Sequence, residues 1–283
     1  ALVDNVLYEA LTKSFVRDSF ASQTGKGTDD GLMRLKTHMV DYYRRSGHGA
    51  DGWVLKGDVR HFFASIDHSK LKKKLKAVLD KRGVDPRVYE LLCIYIDVMD
   101  EGLPLGYQTS QLFALTFLDE FDHIIKEKYG VKYYGRYMDD FYLIHENREY
   151  LKYCMEEIRK KCKEYGFVLN EKKTKIAPLR KGVKFLKTKF FLNETGAVIR
   201  KMNRKSPVKM RKKLRIFRRW IDEGRFTITD VETAYQSWRG HMIRGNSTLV
   251  LRKMDAFYNS LFKNKEDSGH GKVSEERQLA RAC

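Results

Sequence analysis

The spacing of apolar residues predicts helices over several parts of the chain. Residues 109–129 carry apolar side chains at three- and four-residue intervals, the pattern of an amphipathic helix. Residues 151–165 repeat that pattern up to Gly166, which suits a helix end. Shorter helices are predicted to follow Ser69, a candidate N-cap, and Pro86, a residue suited to the first turn.

Other parts of the chain have the pattern of β-structure. Residues 53–59 form an apolar run typical of a strand, and residues 132–145 predict a β-hairpin with two aromatic-rich arms. Two short strands are predicted on either side of residues 193–196. After Pro207 the apolar spacing is helical again. The order of elements therefore predicts an α+β fold followed by a helical lobe.

The charge of the chain narrows its function. The 283 residues include 56 Lys or Arg and 37 Asp or Glu, a net charge of +19, and 42% of them are hydrophobic. This hydrophobic content is typical of a folded protein, while the charge favours a polyanionic partner, either nucleic acid or an acidic membrane surface. Residues 171–219 hold 19 Lys or Arg and two acidic residues, a net charge of +17. Aromatic residues lie between these charges, so we expect a folded basic surface that contacts a phosphate backbone.

Several classes of protein are disfavoured. No run approaches the roughly 18 apolar residues of a membrane span, and we expect neither a membrane protein nor an N-terminal secretion signal. The four cysteines form no Cys-x-x-Cys motif and no pairing rhythm, so we expect no zinc site and no disulfide framework. These features favour a reducing, cytoplasmic setting.

Two adjacent acids, Asp139 and Asp140, occupy the tip of the predicted hairpin. Acids this close repel each other, and a divalent cation such as Mg²⁺ would relieve the repulsion. The alternative is an ordinary acidic turn, which is our interpretation of Asp29 and Asp30 in a Gly- and Thr-rich loop. Asp58, at the end of the predicted strand, strengthens the metal interpretation. Adjacent antiparallel strands would bring it beside Asp139 in a two-metal site that activates a 3′-hydroxyl and stabilises pyrophosphate.

The loop before the long helix is a third candidate. Residues 102–111 contain Gly106, which lets the backbone approach a ligand, and they lead into a polar helix start that suits phosphate or base edges. Without that context, Ser110 is an ordinary residue of a first helical turn.

Taken in order, these motifs resemble the bacterial reverse transcriptases, specifically their group II intron-like and diversity-generating-retroelement branch. The resemblance covers residues 5–262. The matching segments are 25–28 (fingers), 56–68 (first palm motif), 102–114 (nucleotide-contacting motif), 137–140 (Tyr-x-Asp-Asp), and 166–174 and 183–186 (later palm motifs). The resemblance implies an RNA-directed DNA polymerase, a nucleotidyltransferase that extends a DNA or RNA primer on an RNA template with dNTPs.

The resemblance also implies the architecture of a right-hand polymerase. It assigns partial fingers to residues 1–52, a palm with an antiparallel sheet to 53–204, a helical thumb that grips the duplex to 205–262, and a C-terminal tail to 263–283. A cognate structured RNA or an accessory protein would be a further partner. The family also implies a bacterial or phage-encoded, cytoplasmic protein.

Individual residues take roles from the same resemblance. Asp58 and Asp139 would hold two Mg²⁺ ions, which Mn²⁺ can replace, and Asp140 would be the supporting acid. Phe63 matches the steric gate that excludes a 2′-hydroxyl, with Phe62 competing for that role. The other implied dNTP contacts are Val59, Gly106, Tyr107, Gln108 and Lys173. The implied primer and template contacts are Ser110, Gln111, Tyr137, Met138, Lys205, Lys209, Lys212 and Lys213.

Some features depart from the family pattern. Gln111 stands where group II intron enzymes carry Pro, and Leu105 where they carry Gln, which favours the diversity-generating branch; Met138 is commoner in retroviral enzymes. The earlier fingers strands, which clamp the triphosphate with basic residues, have no counterpart, so we expect either a fragment or a substitute such as Lys26. Lys173 would lie near the leaving pyrophosphate, or is a surface lysine of the basic run.

Two other functions stay open. Another palm polymerase, such as an RNA-dependent RNA polymerase, is disfavoured by Phe63, because a ribonucleotide enzyme needs room for the 2′-hydroxyl. A non-catalytic or fragmentary palm-type module that binds nucleic acid is disfavoured by the intact Asp58, Asp139 and Asp140. The missing fingers strands favour that module. We expect neither an appended endonuclease nor an RNase H domain.

Overall fold

The computed structural model describes residues 2–47, 49–202 and 205–263. Apart from Lys263, the predicted tail over residues 263–283 lies outside the described residues. Among the helices that are described, none is both long and apolar enough to cross a membrane. The mixture of helices and antiparallel strands confirms the predicted α+β class.

The secondary structure follows the predicted order of elements. The helices of the described residues are α1 (Tyr8–Thr12), α2 (Thr28–Arg45), α3 (His68–Lys81), α4 (Pro86–Ile96), α5 (Gln108–His123), α6 (Arg148–Tyr165), α7 (Lys205–Asp222), α8 (Ile228–Ile243) and α9 (Thr248–Phe262). The strands are β1 (Trp53–Asp58), β2 (Tyr133–Tyr137), β3 (Asp140–His145), β4 (Lys175–Pro178), β5 (Val183–Phe185), β6 (Thr188–Leu192) and β7 (Val198–Lys201). The long predicted helix thus ends its α-helical part at His123 and continues as a π-helical turn, Ile124–Lys128.

The chain divides into two compact units. Among the described residues, the first unit comprises 2–186 and 190–198, and the second comprises 187–189 and 199–263. The predicted division into fingers, palm and thumb stays a prediction.

A four-stranded antiparallel sheet in the order β2-β3-β1-β4 forms the centre of the first unit. Successive side chains of a strand point to opposite faces, and here both faces are buried. On one face, Leu55 and Leu143 pack in a core with α3, α5 and α6. On the other face, Val54 and Ile144 pack with α2, β5 and β6. A second sheet has the order β5-β6-β7. Burial on both faces holds the ends of β1 and β3 in place.

Two local predictions are corrected by the structure. Asp29 and Asp30, interpreted as a turn, lie in the first turn of α2, where the free N–H groups favour negative charge. The N-cap of α3 is Asp67 rather than Ser69, since the Asp67 carboxylate accepts a hydrogen bond from the Lys70 N–H at 2.9 Å. Asp and Ser compete for this position because both offer an oxygen to an unpaired helical N–H.

The described helices of the second unit are α7, α8 and α9, which share an apolar core that includes Leu214, Val231 and Met254. The apolar spacing over α8 is too weak to predict a separate helix, and few of its side chains are buried. The sequence does contain a signal for the start of this helix. Thr227 and Asp230 form a capping box, in which each side chain accepts a hydrogen bond from the other residue's backbone N–H.

Candidate active site

The ends of neighbouring strands bring the three predicted acids to one edge of the main sheet. Asp58 is the last residue of β1, and its register partner is Asp140, the first residue of β3. Asp139 lies with Met138 in the two-residue loop that joins β2 to β3. The predicted pairing of adjacent antiparallel strands is confirmed, with Asp140 rather than Asp139 directly opposite Asp58.

The backbone of the hairpin loop (Met138 and Asp139) is held on both of its carbonyls. Met138 has a φ of +53°, a left-handed conformation for which tight hairpin turns favour glycine. The Asp139 carbonyl accepts a hydrogen bond from the Val59 N–H at 3.2 Å. The Met138 carbonyl accepts one from Arg136 Nη1 at 3.0 Å. The Asp139 side chain therefore extends from a backbone with little freedom to rotate.

A segment after α6 closes the site around Asp58. The Asn170 N–H donates to the Asp58 carbonyl at 2.8 Å, and the Thr174 hydroxyl accepts from the Asp58 N–H at 3.4 Å. Lys173 Nζ donates to both carboxylate oxygens of Asp58, at 3.0 and 2.8 Å. This hydrogen bond raises the pKa of Lys173. The structure thus places Lys173 at the acidic edge, on Asp58 itself.

Burial and mutual repulsion dominate the electrostatics of the acidic pair. Burial raises the pKa of Asp139, and the nearby charge of Asp58 raises it further. Burial also raises the pKa of Asp140, although Lys56 Nζ lies 3.0 Å from its Oδ1 and favours the charged form. Both carboxyls are therefore harder to ionise than an ordinary Asp, and an additional cation would stabilise their charged forms.

These oxygens suit a hard divalent cation. Within the described residues, no group of three or more His, Cys, Asp or Glu side chains already surrounds a common metal position. Asp58 and Asp139 do offer carboxylates at one edge, and one or two carboxylates are what Mg²⁺ takes from a protein when phosphates and water complete its shell. Among the described residues, the buried Oδ1 of Asp140 accepts no hydrogen bond in good geometry, although the Lys56 ammonium lies 3.0 Å from it.

The loop at the start of the nucleotide-contacting motif (residues 102–114) contacts the segment that follows β1. The Leu103 N–H donates to the Phe63 carbonyl at 2.9 Å, and Gly102, at φ +68°, lies so close that a Cβ would be 2.6 Å from that carbonyl oxygen. Phe62 is buried against Phe167, with their ring centroids 5.2 Å apart, whereas Phe63 is partly exposed. Of the two gate candidates, Phe63 is therefore the one with accessible surface.

Other predicted contacts lie around the start of α5 and the hairpin loop. Gly106 has a φ of +94°, a conformation that residues with a side chain adopt rarely, and Tyr107 is 57% exposed. Ser110 is buried, so it packs inside the helix start rather than facing solvent. Tyr137 and Met138 are half-buried at the end of β2 and in the hairpin loop.

The two predicted glutamines face a cleft of about 410 Å³ beside the N-terminal part of the chain. Gln108 Nε2 donates to Asp4 Oδ1 at 3.3 Å, and Gln111 Oε1 accepts from the Ser22 hydroxyl. The predicted nucleotide motif therefore reaches the segments before α2 as well as the region of Phe63.

Lys26, considered as a substitute triphosphate clamp, is bound to the backbone in this structure. Its Nζ donates to the Ser19 carbonyl at 3.0 Å and to the Val16 carbonyl at 3.3 Å. Burial lowers the pKa of Lys26. In this position the ammonium joins neighbouring turns of the chain.

The predicted duplex contacts lie in the second unit, on α7. Lys209, Lys212 and Lys213 are exposed, and Lys205 is the first residue of the helix. Positions three and four residues apart share a helix face, so Lys205, Lys209 and Lys212 form one side of α7, away from the buried Leu214. This basic face lies entirely within the second unit.

Sequence reasoning missed four residues that build the acidic edge. Lys56 and Thr174 contact the acids directly. Arg136 and Asp122 form an ion pair behind the hairpin loop, with an N···O distance of 2.5 Å and only 1% of each side chain exposed. A signal for this pair existed, because Arg136 interrupts the aromatic run of β2 and Asp122 falls among the apolar positions of α5. Charged residues are rarely buried unless they are paired.

Comparison with known proteins agrees with this geometry. The sequence model of the family "reverse transcriptase (RNA-dependent DNA polymerase)" matches residues 1–190. A comparison with curated proteins found no match.

Several solved structures share the fold. Apo telomerase from Candida tropicalis, truncated from its C-terminal domain, is 17% identical with a TM-score of 0.55, over 69% of this chain and 43% of that one. Telomerase from Candida albicans with a fragment of telomeric RNA is 15% identical with a TM-score of 0.57, over 92% and 47%. The corresponding Candida tropicalis complex is 14% identical with a TM-score of 0.56, over 95% and 46%. The matched regions span about half the length of those chains or less.

Proposed function

The chain belongs to the reverse transcriptase family, the RNA-directed DNA polymerases, and we propose that it extends a DNA or RNA primer on an RNA template with dNTPs by two-metal nucleotidyl transfer. One observation carries this proposal. The pairing of β1 with β3 brings Asp58, Asp139 and Asp140 to one edge of the sheet, where two of the three carboxyls have raised pKa values. Such a cluster favours divalent cations and the phosphates that they bind.

Asp58 and Asp139 would hold the divalent ions, Mg²⁺ with Mn²⁺ as a substitute, and Asp140 would support them. Bound ions would supply activation of the primer 3′-hydroxyl and neutralisation of the departing pyrophosphate. The protein's own contribution is to hold three carboxylates together against their repulsion. Lys56, 3.0 Å from Asp140, favours the charged form of that acid and thereby supports the cluster.

Lys173 would change partner during the reaction. Its side chain is 58% exposed and pairs with Asp58, which is 9% exposed. A lysine is a mobile point charge on a flexible stem. We expect it to leave Asp58 when the site is loaded and to hold its positive charge against the pyrophosphate, so that it opposes charge build-up on the leaving group.

The sugar of the incoming nucleotide would lie against Phe63. Val59, Gly106, Tyr107 and Gln108 would complete the dNTP pocket, with the buried Val59 contributing backbone. Support comes from the loop before α5, which packs on the Phe63 carbonyl and leaves the ring partly exposed. A ring at this position would clash with a 2′-hydroxyl, which disfavours a ribonucleotide polymerase.

Nucleic-acid contacts are proposed for each unit separately. Tyr137 and Met138 would face the primer end, and Ser110 and Gln111 would support the template strand. In the second unit, the lysines of α7 (Lys205, Lys209, Lys212 and Lys213) would contact phosphates of the duplex, since an exposed basic helix face binds a backbone without reading its sequence.

We further propose membership of the group II intron-like and diversity-generating branch. Leu105 and Gln111 support the diversity-generating group. With that branch come a bacterial or phage-encoded origin, a cytoplasmic location, and a cognate structured RNA or accessory protein as partner.

Primer extension on an RNA template tests the activity. Each dNTP and then each NTP is supplied in Mg²⁺ and in Mn²⁺, beside an Asp139→Asn variant. Incorporation of dNTPs that disappears in the variant is the expected result. Preferential incorporation of NTPs would instead identify an RNA polymerase. Tight, salt-sensitive template binding without incorporation in either metal would identify a palm that only binds nucleic acid.

A further inference from the structure

The geometry points to Arg136, paired with Asp122, as the positioning residue that sets the affinity of the acidic edge for divalent cations. It acts on the hairpin loop and does not touch the substrate. This inference rests on the proposed function, because it assumes that Asp139 holds a cation.

All three nitrogens of the Arg136 guanidinium donate hydrogen bonds. Its Nε and Nη2 donate to the two carboxylate oxygens of Asp122, at 2.6 and 2.5 Å. Nη2 also donates to the Ser19 hydroxyl at 3.2 Å, and Nη1 donates to the Met138 carbonyl at 3.0 Å. The rigid fork of a guanidinium fixes the directions of these donors relative to one another. Asp122 on α5 therefore determines where Nη1 points.

The backbone of Arg136 is fixed as well. Its N–H donates to the Asp18 carbonyl at 2.9 Å, and its carbonyl accepts from the Phe20 N–H at 3.0 Å. The edge of β2 is thus covered, and the side chain leaves a strand that cannot shift easily. Stability alone does not account for this ion pair, because a buried ion pair often stabilises a protein no more than apolar residues of the same volume.

Arg136 Nη1 donates to the Met138 carbonyl, which lies next to Asp139 in the hairpin loop. Met138 holds a left-handed φ of +53°, which is unfavourable for a residue with a side chain. Its carbonyl belongs to the peptide that leads into Asp139, so rotation of this peptide would move the Asp139 carboxylate. Arg136 holds one loop carbonyl and Val59 holds the other. Without Arg136, the Met138 carbonyl would lose this restraint, and the Val59 hydrogen bond would hold only the Asp139 carbonyl.

The second unit contains a control with the same side-chain types at lower burial, since Arg239 and Asp255 are 36% and 32% exposed. Tyr235 and Arg239 both donate to Asp255, at 2.7 and 3.0 Å to its Oδ1. In the same way, the Tyr134 hydroxyl and Arg136 both donate to Oδ1 of Asp122. The two groups use the same three side-chain types, yet Asp255 and Arg239 lie on α9 and α8, outside the unit that holds the hairpin loop.

The test replaces Arg136 by lysine, which keeps the buried positive charge but cannot bind Asp122 and the Met138 carbonyl as a fork. The full chain is titrated with Mn²⁺ and followed by electron paramagnetic resonance, without nucleotide or template. Half-saturating Mg²⁺ in primer extension and the Kd for template–primer are measured in parallel. We expect Arg136→Lys to weaken Mn²⁺ binding by about 10-fold or more, as for other residues that orient metal ligands. Template–primer affinity and the Arg239→Lys control should stay at the parent value.

If Arg136→Lys does not fold, a second variant tests the same inference. Asp122→Asn keeps Arg136 and its donor to Met138 but removes the charge that aims it, so a smaller weakening of Mn²⁺ binding is expected. Parent-like Mn²⁺ affinity in a folded variant, with extension lowered only in proportion to the folded fraction, would overturn the inference. If the parent protein itself binds no Mn²⁺, the proposed metal site falls, and this inference falls with it.

Discussion

The chain contains two Asp-Asp pairs whose surroundings are opposite. Asp30 lies in the first turn of α2 and forms a two-pronged ion pair with Arg17, at 2.7 and 2.6 Å. This hydrogen bond lowers the pKa of Asp30. At the end of the main sheet, burial raises the pKa of both Asp139 and Asp140. In the first pair Arg17 neutralises Asp30, whereas in the second pair Lys56 contacts Asp140 and, among the described residues, Asp139 forms no ion pair.

The difference shows that an Asp-Asp dipeptide does not by itself indicate a metal site. Adjacent Asp residues are stable at an exposed helix start because the free N–H groups and an arginine favour their charge. The same dipeptide becomes a candidate metal site when strand pairing brings Asp58 up to it and removes water. Within the described residues, Asp139 forms no ion pair, and Asp140 pairs with Lys56.

Activity should separate the two pairs most strongly. Asp139→Asn is expected to lower primer extension by more than about 100-fold, because it removes a proposed metal ligand, while template–primer affinity changes little. Asp30→Asn should leave extension within about twofold, since its partner is a surface arginine. Extension rates and filter-binding constants of the two variants measure this contrast. Equal loss of binding and extension in Asp139→Asn would contradict the assignment.

A second pair of identical neighbours, Phe62 and Phe63, should divide in the same way. Phe63→Val is expected to raise incorporation of NTPs relative to dNTPs by about 10- to 100-fold, because it opens space for the 2′-hydroxyl. Competition between labelled NTP and dNTP measures the ratio. Phe62→Ala is the control, and it should cost about 3–5 kcal/mol of unfolding free energy, because it empties a buried position. Unchanged sugar selectivity in Phe63→Val would move the gate elsewhere.

Lysines that form no ion pair among the described residues should also matter more for binding than lysines that form one. Replacing Lys212 and Lys213 by Gln is expected to weaken template–primer binding and to lower the slope of log Kd against log salt by about 1.5–2. The control replaces Lys152 and Lys160 of α6, which pair with Glu149 and Glu157. Binding titrations between low and moderate salt give both slopes. A slope equal to that of the parent would show that this part of α7 faces solvent.

The smallest expected effects are on stability, where Asp139→Asn and Asp30→Asn should have opposite signs. The raised pKa of Asp139 means that its ionisation destabilises the metal-free fold as the pH rises from the ordinary value of 3.8 through the raised value. Asp139→Asn should therefore raise Tm at pH 7 in EDTA. The lowered pKa of Asp30 stabilises the fold above 3.8, and this contribution is lost as the pH falls through the lowered value. Asp30→Asn should cost about 0.5–1 kcal/mol at pH 7.

Thermal unfolding with and without Mg²⁺ completes this comparison. Mg²⁺ should raise the Tm of the parent and of Asp30→Asn, because both keep the proposed cation ligands, and it should raise the Tm of Asp139→Asn less. Destabilisation of the same sign in both variants would show that the acidic edge is not under electrostatic strain.

Much of the fold could be predicted because the signals are local. The apolar spacing of α5 and α6 and the alternation around the hairpin reflect which side of each element must leave water, and a short window of sequence contains that information. Local signals that compete were less decisive. Asp67 rather than Ser69 caps α3, and α8 was missed because its start carries a capping box but its apolar face is weak.

The candidate site divides in the same way. From its sequence alone, the chain could be assigned Asp58, Asp139 and Asp140 as acids, the loop with Gly106 and the basic run of α7, because each is a short pattern of residue types. The tertiary structure decided which of these meet. It set Asp140 rather than Asp139 opposite Asp58, placed Lys173 on Asp58, and buried Arg136 with Asp122 behind the hairpin loop. The physical reason is that register, burial and pKa depend on neighbours distant in the sequence, and only the folded chain brings those neighbours within range of a hydrogen bond or a charge.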